Sequence, residues 1–187
     1  LIDITVKNGV YSFDFDKLTQ WIEMAHHCGI EYFELAHFYT QWGAKHAPKI
    51  MATVDGTYKK IFGWKTRANS RKYKHFLTML SVELKKYLEE RNLKNKVFIH
   101  VSDEPNAAML RSYKKASMHI HSLFEGYKIV DALSDYSFYE KKIVSNPIPA
   151  TDHIDKFIGK VDNLWTYYCS AQKSHNVANR FFCNESI

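Results

Sequence analysis

Apolar and polar positions alternate twice at the start of the chain, over residues 1–6 and 10–15, which predicts two strands. Asn8-Gly9 between them predicts a hairpin turn. The period then lengthens. Leu18, Trp21, Ile22 and Ala25 fall at helical spacing, so residues 16–28 predict a helix capped by Asp16 and closed by Gly29. Residues 30–38 predict a strand carrying Glu34 and His37 towards its end. Residues 39–69 show neither period and are expected to form a long ordered loop over a site, because a loop of that length is usually functional. Tyr73, Phe76, Leu77, Leu80, Leu84, Tyr87 and Leu88 then mark a helix that starts at a Ser70 cap and ends near Arg91.

The next stretch, Val97-Phe-Ile-His-Val-Ser-Asp-Glu-Pro105, opens as a buried strand and stops in two carboxylates and a proline. Pro105 has no N–H for a ladder and biases Glu104 towards an extended backbone. Asp103 and Glu104 therefore stand where a strand leaves its sheet, ahead of a helix at 106–123. Two readings are open. Asp103 caps that helix with Glu104 in its dipole field, or the pair is a general acid and its electrostatic partner. Further on, 127–133 predicts a strand, 134–142 a short helix, 147–152 an extended segment and 164–168 a strand. Strands alternating with helices predict parallel pairing with helices outside. About five such units follow the first hairpin, whereas an eight-unit barrel takes about 250 residues. The expected fold is α/β, an incomplete (β/α)8 barrel of the TIM type. His37, Asp103, Glu104, Asp131, Asp152, His153, Tyr167 and Tyr168 all fall where strands should end, and a barrel gathers those ends on one face.

Composition narrows the chemistry. Of 187 residues 15% are aromatic, more rings than a core of this size hides, so some line a cleft or the surface. The net charge is +6, but the basic residues are scattered pairs among acids, which argues for solvated helix faces and against nucleic acid. No apolar run reaches the ~18 residues of a membrane span. Three widely spaced cysteines fit neither a disulfide framework nor a zinc ribbon, so the cytoplasm is the default expectation. The chain starts at Leu1, which leaves a preceding targeting segment, and secretion, open. His26, His27, His119 and His121 fall on helices and read as surface residues.

Several stretches resemble the catalytic domain of glycoside hydrolase family 123. They are His37-Phe-Tyr-Thr-Gln-Trp-Gly-Ala-Lys-His-Ala-Pro-Lys49, His100-Val-Ser-Asp-Glu-Pro105, Asp131-Ala-Leu-Ser-Asp135, Ile148-Pro-Ala-Thr-Asp-His153 and Leu164-Trp-Thr-Tyr-Tyr168. The resemblance spans nearly the whole chain. It implies a (β/α)8 barrel, with a flanking β-sandwich and terminal barrel strands absent from this chain, and a retaining β-N-acetylgalactosaminidase that uses its substrate's 2-acetamido group. The family's Asp-Glu pair falls on Asp103, which would orient the acetamido group, and Glu104, which would be the acid and then the base. The implied partner is a glycan containing N-acetylgalactosamine, with no cofactor.

Other residues divide between site and scaffold. On a strand Trp165 and Tyr167 share a face, away from Tyr168, and suit the floor of a sugar site. His37, Gln41, Asp131, His153 and Asn179 are further substrate-binding candidates. A metal held by His100, Asp103 and His153 has none of the common zinc spacings, and none is expected. Two other functions fit the same fold: a carbohydrate-binding or scaffold domain without turnover, and a metal-dependent barrel hydrolase.

Overall fold

The computed structural model describes residues 1–41 and 43–168. β1 (Asp3–Lys7) and β2 (Val10–Asp14) pair antiparallel with Lys7 opposite Val10, so Asn8 and Gly9 alone make the turn. Their φ angles of 52° and 78° are the left-handed pair of a type I′ turn. Asp55 and Gly56, at 47° and 86°, repeat the device between β4 (Ile50–Val54) and β5 (Thr57–Phe62). This second hairpin lies inside the stretch expected to be loop. β4 runs parallel to β1, giving a mixed sheet of order β2-β1-β4-β5. The two turns are stitched together: the Asn8 N–H donates to Asp55 Oδ1 at 3.3 Å and the Asp55 N–H to the Val6 carbonyl at 3.0 Å.

α1 (Asp16–His27) follows β2. Asp16 is its first residue rather than its cap, and its N–H donates to Asp14 Oδ1 at 2.8 Å. Gly29, at φ 84°, ends the helix: its N–H reaches the His26 carbonyl and that of Ile30 the Ala25 carbonyl. α2 (Arg71–Glu90) starts at Ser70, whose Oγ accepts from the Tyr73 N–H at 3.4 Å. All seven apolar positions expected on its buried face are buried, together with Ser81.

The second sheet is all parallel and adds strands in chain order: β3 (Phe33–Glu34), β6 (Val97–His100), β7 (Lys128–Ala132) and β8 (Pro147–Ile148). The hairpin β4–β5 and α2 connect β3 to β6, α3 (Leu110–Leu123) connects β6 to β7, and α4 (Ser137–Glu140) connects β7 to β8. The expected incomplete (β/α)8 barrel is therefore corrected to a mixed four-stranded sheet beside a four-stranded parallel one. Among the described residues there are four parallel strands, and the strand expected at 164–168 is a single bridge between Tyr167 and Ala150. Eight strands close a barrel with a filled interior; here residues 39–69 feed the mixed sheet instead of that count.

Rings from the mixed sheet and from α2 form the core between the layers. Phe76 meets Tyr11 at 5.3 Å and Phe62 at 5.1 Å between centroids, and Tyr73 meets Phe62 at 5.1 Å and Tyr39 at 5.7 Å. Aromatic rings bury about 150–250 Å² each, the largest apolar contribution per residue. The Tyr73 hydroxyl donates to the Phe38 carbonyl, fixing the segment after β3. His119 is not a free surface residue: its Nδ1 lies 2.9 Å from the Tyr39 hydroxyl. Burial, then the charge of Lys74, pushes its pKa down. No helix among the described residues is long and apolar enough to cross a membrane.

Candidate active site

The parallel sheet sends its carboxyl ends to one side, the position where α/β folds place ligands. An open cleft of about 730 Å³ lies there. Its walls come from residues 104–106 after β6, 134–140 after β7 and 150–156 after β8, with Tyr167 beside them. Tyr167 is brought in by backbone hydrogen bonds: its N–H donates to the Pro149 carbonyl at 3.1 Å, and its carbonyl accepts from Thr151 at 3.0 Å.

Asp103 and Glu104 leave β6 in different directions. Glu104 has φ 42°, a left-handed conformation that costs a non-glycine residue about 1–2 kcal/mol. Such strain clusters at functional positions. Its N–H donates to the Ala132 carbonyl at 3.2 Å, its side chain is exposed in the cleft, and the Tyr167 hydroxyl donates to Oε1. Asp103 is half-buried, is not among the cleft's lining residues, and accepts from Gln41 Nε2 at 2.8 Å. It does not cap the following helix. That role falls to Asn106, whose Oδ1 accepts from the Ala108 N–H at 3.1 Å.

Beneath the pair is a buried polar network. Asp131 is 1% exposed. Its Oδ1 accepts from the N–H groups of Val101 at 2.9 Å and Ser102 at 3.3 Å and lies 3.4 Å from His100 Nδ1. Oδ2 takes the Tyr113 hydroxyl from α3. Asp131 thus fixes the two residues immediately before the acid pair. His100 Nε2 lies 3.1 Å from Glu34 Oε1, within ion-pair range but not aligned as a hydrogen bond.

Burial raises the pKa of Asp131, even against the hydrogen bonds of His100 and Tyr113. For His100 burial is the largest influence and opposes the charge. The hydrogen bond and charge of Asp131, with the charges of Glu34 and Asp103, outweigh it and raise the pKa above 6.5. The folded protein therefore holds this proton more tightly than the unfolded chain does. The stabilisation is complete below pH 6.5 and is lost as pH rises through the raised value. In thermal melts the advantage of the wild type over His100→Gln should be largest below that pH and shrink above it. A constant or widening advantage would contradict this.

The other candidates scatter. His153 lines the cleft, with its side chain 55% exposed. His37 is half-buried after β3 and outside the lining, and Asp131 is under the site rather than in it. Trp165 packs edge-on against Phe98 at 5.0 Å, with Lys128 Nζ 4.9 Å from its ring, and does not share the cleft with Tyr167. Asn179 lies outside the described residues. His100, Asp103 and His153 do not converge, and no metal-sized group of three His, Cys, Asp or Glu side chains occurs among the described residues.

Sequence reasoning passed over Asp135, Tyr136, Ser137, Glu140 and Lys156, all in the lining. Their signal was position, just past the ends of β7 and β8. Ser137 Oγ and Asp152 Oδ1 are buried at this wall with no hydrogen-bond partner among the described residues.

Gly43 holds the loop that carries Gln41. At its φ of 105° an added Cβ would stand 2.7 Å from Met109 Cβ. Gly43→Ala should destabilise by about 1–3 kcal/mol in chemical denaturation; a loss below about 0.5 kcal/mol, the usual range for a surface change, would show that the loop moves freely.

A family model described as the glycoside hydrolase 123 catalytic domain matches residues 1–187. No curated protein matches. Among solved structures, a family 123 glycoside hydrolase from Clostridium perfringens, studied for glycolipid glycan hydrolysis, superposes with a TM-score of 0.58 at 18% identity. The match covers 81% of this chain and 27% of that one, so this chain spans about a quarter of that protein. At this identity the likeness is one of fold.

Proposed function

This chain belongs to the glycoside hydrolase 123 catalytic-domain family, and we propose that it carries the acid–base machinery of a retaining β-N-acetylhexosaminidase of the galactosaminidase type. The observation that carries the reading is the divergence of Asp103 and Glu104 at the end of β6. Glu104 stands in the cleft with its carboxylate held by Tyr167, while Asp103 is held apart by Gln41.

A direct nucleophile and its acid face each other about 5–5.5 Å apart across the glycosidic bond. Neighbours on one turn suit a different division of labour. Asp103 orients the substrate's acetamido group, whose oxygen attacks the anomeric carbon and forms the cyclic intermediate. Glu104 gives its proton to the leaving oxygen, then takes one from the water that opens that intermediate with retained configuration. The substrate class is a glycan bearing β-linked N-acetylgalactosamine-type sugars; the Clostridium perfringens relative, which acts on glycolipid glycans, is in keeping with this.

A screen of aryl β-N-acetylhexosaminides with the full chain tests the reading. Turnover is expected, and it should slow when the acetamide is replaced by a less nucleophilic trifluoroacetamide. Turnover indifferent to that replacement would remove substrate assistance. Because Asp103 does not line the cleft, a carbohydrate-binding domain is the second reading; sugar binding without hydrolysis of any aryl hexosaminide would favour it.

A further inference from the structure

Resting on the hydrolase reading of this cleft, we propose that the site takes uncharged glycans and excludes those bearing a sulfate or carboxylate on the sugar it holds. The chain as a whole carries a charge of +6, yet the cleft has the opposite sign. Among its described lining residues, Glu104, Asp135, Glu140 and Asp152 face a single ammonium, that of Lys156. With Glu104 protonated for its first step, three carboxylates still oppose that one cation. The four acids come from the segments after β6, β7 and β8, and the three that stay charged from those after β7 and β8, so an anionic substituent meets carboxylates on more than one wall.

Sugar hydroxyls suffer no such penalty, because they donate to carboxylates. His153 is the one histidine among the described lining residues, and its side chain is more than half exposed to water. Like charges brought together in a recognition site cost enough to reject a ligand, and their reach extends to the Debye length, about 10 Å at 0.1 M salt.

The test compares an aryl β-N-acetylgalactosaminide with its 6-sulfate. At low ionic strength kcat/KM for the sulfated sugar should be roughly ten- to a hundredfold lower, and the gap should close as salt approaches about 1 M, where the screening length falls to about 3 Å. Glu140→Gln, on an exposed side chain, should narrow the gap severalfold at low salt and leave it unchanged at high salt. Equal turnover of the two sugars overturns the proposal. So does a gap indifferent to both salt and Glu140→Gln, since that is steric exclusion.

Calorimetric titration with N-acetylgalactosamine and its 6-sulfate separates this from the hydrolase reading. The same discrimination in binding, without turnover, overturns the hydrolase reading and upholds this one. Hydrolysis without discrimination does the reverse, and absence of both binding and turnover overturns both.

Discussion

Glu104→Gln is expected to lower kcat on an unactivated β-N-acetylhexosaminide by about 10²–10⁴, the usual worth of a positioned acid–base group. That is about 3–5 kcal/mol of barrier, at 1.36 kcal/mol per factor of ten. Glutamine keeps the shape and the contact with Tyr167 but has no proton to give the leaving oxygen and cannot take one from water. A leaving group that departs without protonation should regain the first step. Added azide, which needs no base, should then regain the second. Glutamine is more informative than glycine here, because glycine would also relieve the left-handed backbone at φ 42°. Ligand affinity and melting temperature should stay near wild type, since the side chain is exposed. Turnover within about tenfold of wild type would remove Glu104 from the acid role.

Asp131→Ala is expected to destabilise the fold by about 3–5 kcal/mol, the loss typical when one partner of a buried charged pair is removed. The change orphans two backbone N–H groups, the Tyr113 hydroxyl and His100 Nδ1, all of which now meet one carboxylate that is 1% exposed. A domain's whole stability is only about 5–15 kcal/mol, so the variant should melt far below wild type or fail to fold. Asp131→Asn retains an acceptor for the backbone and should lose less, about 1–3 kcal/mol. Because Val101 and Ser102 lead directly into the acid pair, the asparagine variant should also lower kcat more than it alters KM. A loss below about 0.5 kcal/mol in the alanine variant, as for a surface site, would show that the network does not hold this strand end.

The hairpin at Asn8-Gly9 and the stripe of α2 were legible because each depends on a local rule: a dipeptide that tolerates positive φ, and a 3.6-residue period. Asp55-Gly56 carries the same turn signal, but the strand after it hides its period. β5 is an edge strand, and Thr57 to Lys60 are all exposed, with two lysines in its middle. Edge strands use charge to resist pairing with other chains, so the alternation that marks a half-buried strand is missing. The barrel expectation went wrong at a different level. Alternating strands and helices dictate parallel neighbours in chain order, and β3, β6, β7 and β8 obey that. How many strands join the sheet depends on partners far away in sequence, and 39–69 chose β1.

The site divides in the same way. The buried run of β6, the carboxylates at its end and the polar residues beyond β7 and β8 belong to the sequence itself, because strand burial and chain direction are local and put strand ends on one side. Which side chains meet there was decided only by the tertiary structure. Tyr167 reaches Glu104 across 63 residues, and Gln41 reaches Asp103 across 62. Asp131 went under the site because Tyr113 came down on it from α3, and Trp165 went to Phe98 instead of the cleft. Contacts across such separations depend on how whole elements pack, and no local period or spacing encodes that.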